Sequence, residues 1–240
     1  MREPDPPEDP ASREASASPS LLPSSRLSPA QARDLQLRLR NRVIREAPRG
    51  FNPKRMAGAD LSVVRGRDTG HAAIVVVDVD TLETVDRATA SVPVSFPYVP
   101  GLLSFRELPP LAAAWARLSV RPDALIFDAH GLAHPRRFGL ACHGGLLLGV
   151  PSVGAAKSIL VGEHGELGKK RGSSVPLIHE GEVVGRVLRT RTGVRPVYVS
   201  IGHRMDLATA EALVLRLSPR YRISEPLRRA HRLSNDLRRR

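Results

Sequence analysis

Two aspartates sit where aspartate is costly. Asp60 interrupts the apolar run Met56-Ala57-Gly58-Ala59-Asp60-Leu61-Ser62-Val63-Val64, and Asp128 closes Ala124-Leu125-Ile126-Phe127. A carboxylate in such surroundings is expensive to bury unless it is paired or bound to a cation. Either one alone reads as a turn or cap residue at a strand boundary. Together they suggest a divalent-cation site, because magnesium takes carboxylate oxygens and keeps waters and substrate phosphates as its other ligands. Asp128 also falls at the carboxyl end of an expected parallel strand, where α/β sheets form ligand sites.

Glu107 has a competing role, since Ser104-Phe105-Arg106-Glu107 matches the S-x-x-E capping box. With Ser104 as N-cap, Pro109 and Pro110 would fall in the second turn, where proline removes a needed N–H and clashes with the preceding turn. The helix is therefore expected to start near Pro109, leaving Glu107 to project from its entrance. His231 lies four residues after Leu227 in Leu227-Arg228-Arg229-Ala230-His231-Arg232-Leu233, on or beside the apolar face of a basic helix. Alone it is an ordinary core or surface histidine; beside carboxylates it becomes a candidate ligand or proton carrier.

The elements that must carry these groups follow from periodicity and punctuation. Residues 1–25 hold six Pro and six Ser and cannot bury enough surface to offset chain entropy, so a disordered tail is expected over 1–27 and one catalytic domain over 28–240. Ser28-Pro29 offers an N-cap and an N1 proline for a first helix bearing Leu35, Leu39 and Val43. Strands are expected at Arg55–Val64, Ala72–Asp80 and Glu83–Val92, too closely spaced for crossover helices and hence an antiparallel meander. Beyond Pro100 the texture alternates: a helix near Pro110–Val120, a strand Ala124–Asp128, a helix near Arg137–Leu148, a strand Ser152–Gly154. That half is expected to be parallel. Strands at Leu177–Ile178, Val183–Arg189 and Pro196–Ile201 and helices at Asp206–Leu217 and Glu225–Arg239 complete a mixed α/β sheet flanked by helices.

Charge narrows the partner. The 240 residues carry +13, but Arg2 and Arg13 against Glu3, Asp5, Glu8, Asp9 and Glu14 leave residues 1–25 at −3, so the remainder carries +16. Such a domain attracts polyanions and gains affinity by releasing their counterions, which favours nucleic acid. The single Cys142 excludes an internal disulfide and any multi-cysteine zinc site, and no run of 18 apolar residues exists. A soluble, cytoplasmic, monomeric protein without membrane attachment is expected.

The segment Phe96-Pro97-Tyr98-Val99-Pro100-Gly101-Leu102-Leu103-Ser104-Phe105-Arg106-Glu107, with Phe127-Asp128-Ala129-His130-Gly131-Leu132-Ala133-His134-Pro135-Arg136-Arg137, resembles endonuclease V. The likeness continues through Val153–Lys157, Val199–His203 and Glu225–His231 and covers roughly 28–235. It implies a ribonuclease H-like fold and a catalytic cluster of Asp60, Glu107, Asp128 and His231, with Lys157 near the scissile phosphate. Asp60 and Asp128 would hold magnesium, or manganese in its place, while Glu107 and His231 complete the shell or hold the attacking water. Family members cut the second phosphodiester bond 3′ to hypoxanthine, leaving 3′-hydroxyl and 5′-phosphate ends; some act mainly on inosine in RNA.

On this reading Tyr98, between Pro97 and Pro100, is the candidate wedge that fills the gap left by a flipped base. Gly101, Leu103, Ala129 and His134 are candidates for the base pocket, and Arg136 and Arg137 for contacts to the DNA backbone. Ala129 departs from the glycine common at this position in the family, which brings a methyl group close to the base. Zinc is set aside, because His130 and His134 have neither a cysteine nor an H-E-x-x-H partner. An inosine-specific ribonuclease, a structure-directed resolvase of the same fold and a non-cutting binding module remain as alternatives.

Overall fold

A computed structural model describes residues 21–23, 27–63 and 68–239. Helix α1 spans Pro29–Leu39. Its start is the expected one: Ser28 Oγ accepts from the Gln31 N–H while Gln31 Oε1 accepts from the Ser28 N–H, with proline at N1. A single 3-10 turn, Arg40–Arg42, follows. Strands β1 (Arg55–Val63), β2 (Thr69–Asp78) and β3 (Thr84–Pro93) form the expected antiparallel meander. Helix α2 (Leu103–Ala116), β4 (Ala124–Phe127), α3 (Leu140–Leu148) and β5 (Ser152–Ala156) alternate after it. Strands β6 (Ser174–His179), β7 (Glu182–Leu188) and β8 (Val197–Ile201) precede α4 (Leu207–Arg216) and α5 (Glu225–Arg239).

All eight strands belong to one sheet, in the order β3-β2-β1-β4-β5-β8-β7-β6. Only β1-β4-β5 are parallel neighbours; β8 runs antiparallel to β5, and β6, β7 and β8 form a second antiparallel meander. The expectation of a parallel second half is thus corrected beyond β5. β6 and β7 are joined by a two-residue turn, Glu180-Gly181, both at positive φ, which folds the chain straight back, and β8 returns from that far edge to pair with both β7 and β5.

β1 divides the core by its pleat. Ala57 and Ala59 face the layer formed with α2 and α3, among Ile74, Leu108, Leu111, Trp115, Leu125 and Phe127. Met56, on the opposite face with Gly58 and Asp60, packs with Ile126, Val153, Leu227 and Ala230 beneath α4 and α5. The second cover requires Gly58: a Cβ there would stand 2.3 Å from the Pro226 carbonyl carbon and 2.4 Å from the Leu227 nitrogen. α5 therefore lies on β1 with backbone against backbone.

Helix α2 corrects a second expectation. It begins at Leu103, with Leu102 as N-cap and no side-chain cap, and carries Pro109 and Pro110 inside it. Each interior proline costs about 3 kcal/mol. Burial of Phe105, Leu108, Leu111 and Trp115 offsets this at roughly 1.5–3 kcal/mol per large apolar side chain. Ser104 caps nothing and instead bonds His143 Nδ1 at 3.0 Å.

Of the segment expected as a tail, 1–20 and 24–26 lie outside the described residues, as does Val64. Leu21 is buried in the first core layer, and its carbonyl accepts from His143 Nε2 at 3.0 Å.

Candidate active site and base cavity

The pairing of β1 with β4 stops at Ala59↔Phe127, whereas β1 runs on to Val63. Where the next residue, Asp128, turns away, β1 is left with a notch in the sheet beside Asp60. Glu107 enters it from α2 on one face and His231 from α5 on the other. The result is a cavity of about 250 Å³ lined by Asp60, Ser62, Glu107, Asp128 and His231 with Ala59 and Leu61. Lys157 follows the end of β5 as Asp128 follows β4, so two adjacent parallel strands deliver the pair to one place, and its ammonium is ion-paired to Asp128 Oδ2.

The cluster is short of positive charge. Asp60 is buried, and burial raises its pKa; Ser234 Oγ, donating to Oδ2, and the His231 ring, whose Nδ1 lies 3.3 Å from the same oxygen, pull the other way. Glu107 is pushed up to about 8, by burial first and then by the negative charges of Asp60 and Asp128. Ser62 Oγ donates to Asn235 Oδ1 at 3.3 Å, which turns Asn235 Nδ2 toward His231 Nε2 at 3.1 Å. His231 thus stands between Asn235 on its Nε2 side and Asp60 on its Nδ1 side.

Among the described residues no three His, Asp or Glu side chains close around a single point. The cluster is an open cavity whose walls offer carboxylate oxygens. That suits a hard cation that takes one or two carboxylates and completes its shell with water and phosphate.

A second cavity, of about 280 Å³, shares Asp128 with the first. Tyr98, Gly101, Leu103, Ala129 and His134 line it, with Gln36, His130, Lys157 and Ser158 completing its polar wall and Ile159 and Leu160 adding apolar surface. Tyr98 stands at its rim, 72% exposed. The first N–H groups of α2, on Leu103 and Ser104, have no partner within the helix and belong to this wall. His134 is held neutral, its pKa lowered to about 4 chiefly by burial; Nδ1 accepts from the Arg136 N–H and Nε2 donates to the Gly101 carbonyl.

A sequence model of the family described as endonuclease V matches residues 37–232. Endonuclease V of Myxococcus xanthus is 60% identical over 213 residues, covering 89% of this chain and 91% of the relative. The chain belongs to the endonuclease V family. The crystal structure of endonuclease V from Streptomyces avermitilis superposes with a TM-score of 0.84 at 47% identity, covering 88% of this chain and 93% of that one. That of Ciona intestinalis endonuclease V, bound to a 24mer DNA containing an inosine followed by a ribo-adenosine, superposes at 0.75 and 28% identity, covering 88% and 97%. The chain is an endonuclease with the ribonuclease H-like fold of this family.

Within this endonuclease V-family fold, the expected residues divide. Asp60, Glu107, Asp128 and His231 meet in the notch, and Lys157 stands beside them. Glu107 arrives from the second turn of α2 and not from a loop before it, so the reason given for its freedom is corrected although its place is not. Ala129 is buried and outside the positive-φ region, so its methyl group lines the larger cavity without backbone strain. Arg137 turns inward: it bonds Glu182 Oε2 at 2.7 Å, His179 Nδ1 at 2.7 Å and the His179 and His134 carbonyls, with Glu180 beside it. Those bonds engage all three of its guanidinium nitrogens and leave the side chain 12% exposed. Arg136 likewise donates to Gln36 Oε1 and the Gly101 carbonyl. His203 sits away from both cavities, its Nδ1 facing the Ile44 N–H at 3.3 Å.

Sequence reasoning missed Gln36, Ser234 and Asn235. For the latter two a signal existed, because Ser234 and Asn235 lie three and four residues after His231 on one helix face. Gln36 gave none, since nothing local relates it to Gly101, 65 residues away. Among the described residues no helix is long and apolar enough to cross a membrane.

Proposed function

We propose that this endonuclease recognises hypoxanthine in DNA and hydrolyses the second phosphodiester bond 3′ to it, leaving 3′-hydroxyl and 5′-phosphate ends, as a step in repair of deaminated adenine. The observation that carries the reading is the sharing of Asp128 between a base-sized cavity and a carboxylate notch. A base lodged in the larger cavity brings its own strand across the notch. At about 280 Å³ the cavity falls just below the range of roughly 300 Å³ and upward occupied by drug-sized ligands, a size suited to one base.

Magnesium, or manganese in its place, would be held by Asp60 and Asp128, where a divalent ion supplies charge neutralisation at the phosphate and a lowered pKa for attacking water. The protein's own groups do the rest. Lys157 places an ammonium beside Asp128, where it can meet a phosphate oxygen. Glu107, facing the same notch as Asp60 and Asp128, is the carboxyl suited to completing the ion's shell or holding the attacking water. His231, with Nδ1 3.3 Å from Asp60 Oδ2, orients that carboxylate. Tyr98, whose exposed ring lies between Pro97 and Pro100, would fill the stack from which the base leaves. The +13 charge supports the duplex as a polyanionic partner.

The Ciona relative is bound to a DNA in which a ribo-adenosine follows the inosine, which makes inosine-containing RNA the second reading. Matched DNA and RNA oligonucleotides carrying one inosine, incubated with magnesium or chelator and end-mapped, test both. A metal-dependent nick at the second 3′ bond is expected in DNA. No metal-dependent nick in either polymer would refute the proposal, and a nick in RNA alone would transfer it to RNA.

A further inference from the structure

The Gly101 carbonyl accepts from three donors: Gln36 Nε2 at 3.0 Å, His134 Nε2 at 2.9 Å and Arg136 Nη2 at 2.8 Å. A carbonyl oxygen has two lone pairs, so three donors saturate it. We propose that Gln36, on α1, is the positioning residue that locks this carbonyl, so that selectivity for the lesion base is set in part from a helix outside the catalytic sheet. The inference rests on the reading of the larger cavity as a base site.

Gln36 is 1% exposed, and its amide is fully engaged. Nε2 also donates to the Phe138 carbonyl at 3.0 Å, and Oε1 accepts from Arg136 Nε at 2.6 Å. Burying an amide is unfavourable unless it is bonded. Here those bonds join α1 to the turn before α2 and to the loop after β4, the two segments that build the cavity. Gly101 itself needs the lock. It is the third residue of a turn in which the Leu102 N–H donates to the Val99 carbonyl at 2.9 Å, with Pro100 before it and φ at +78°. A Cβ at Gly101 would stand 2.9 Å from Arg136 Nη2. The turn carries Tyr98 on one side and Leu103 on the other, so a shift at Gly101 moves the rim and a wall of the cavity together.

The carboxylates of the notch make no contact with Gln36, which separates cavity shape from chemistry. Without its amide, Arg136 Nε loses its acceptor and the Phe138 carbonyl loses this donor. The predicted result is a looser cavity that distinguishes hypoxanthine from adenine less well.

Two variants test this. Gln36→Met keeps the length without polar atoms, and Gln36→Glu keeps an acceptor for Arg136 but removes the Nε2 donor. For each, kcat/KM on matched duplexes with hypoxanthine or adenine, Kd for the same duplexes in calcium, and thermal unfolding are measured. The expected result is a loss of about tenfold in the hypoxanthine-over-adenine ratio, equivalent to about 1.4 kcal/mol. Affinity for the unmodified duplex should stay within about twofold. An unchanged ratio in a folded variant overturns the inference, as does an equal loss on both duplexes, which marks Gln36 as merely structural. If Gln36→Met does not fold, Gln36→Glu decides, and wild-type behaviour there refutes the donor role. A wild-type enzyme without preference for hypoxanthine instead removes the base-cavity reading, and this inference with it.

Discussion

Replacing Gly58 by alanine tests how the notch is assembled. The added Cβ would lie 2.3 Å from the Pro226 carbonyl carbon, 2.4 Å from the Leu227 nitrogen and 2.6 Å from the Pro226 oxygen. Ordinary contact begins at 3.4 Å, so the start of α5 must retreat by about 1.1 Å (3.4 minus 2.3). All three atoms are backbone, so no side-chain rotation relieves the clash. Overpacking of this kind costs about 1–3 kcal/mol. At roughly 2–4 °C per kcal/mol for a chain of this size, the melting temperature should fall by about 2–12 °C. The functional effect should be larger, because α5 carries His231 and Ser234 to Asp60. A rigid retreat of about 1.1 Å would stretch the 3.3 Å separation of His231 Nδ1 from Asp60 to about 4.4 Å and weaken the Ser234 bond. Misplacement by about 1 Å can cost on the order of a hundredfold in rate. Thermal unfolding and single-turnover, metal-dependent cleavage measure the two effects. Gly165→Ala, at a position with nothing within 4 Å, is the control. A Gly58→Ala protein with wild-type melting and cleavage would refute the direct seating of α5 on β1 as the device that positions the cluster.

Other perturbations separate the roles further. Asp128→Asn should lower cleavage by on the order of a hundredfold or more while inosine-duplex affinity is retained, because a negative charge shared by both cavities is lost without changing shape; normal cutting would remove Asp128 from the cluster. Arg137→Met should destabilise the protein by about 1–3 kcal/mol, since it strips partners from Glu182 and His179, and should leave the salt dependence of DNA binding unchanged; a slope smaller by about one would restore Arg137 as a phosphate contact. In chelator, the native state binds a proton at Glu107 that the unfolded chain has already released above the ordinary carboxyl range. Stability should therefore fall as pH rises from about 5 through about 8, and Glu107→Gln should flatten that decline; an unaltered profile in melts across this window would show that Glu107 is not the group responsible.

What was legible in the sequence was whatever short-range chemistry specifies. The Ser28 cap, the meander of β1 to β3, the bounds of α5 at Glu225–Arg239 and the misfit of Asp60 and Asp128 in apolar runs all follow from neighbours a few residues apart. The Phe96–Glu107 and Phe127–Arg137 segments named the family for the same reason, as contiguous words. Tertiary structure decided the rest. α2 starts at Leu103 and tolerates two interior prolines because apolar burial outweighs two lost helix bonds, a balance that only packing reveals. β8 lies antiparallel to β5 because β6 and β7 turn back on themselves and return the chain from the far edge. Arg137 reads as a phosphate ligand by charge, yet carboxylate and carbonyl partners more than forty residues away draw it inward. The four expected catalytic residues could be named from sequence, but their meeting depends on β4 ending one residue short of Asp60's level. That leaves a notch which side chains from both faces can enter, and strand pairing between Ala59 and Phe127 is a long-range contact that no local pattern encodes.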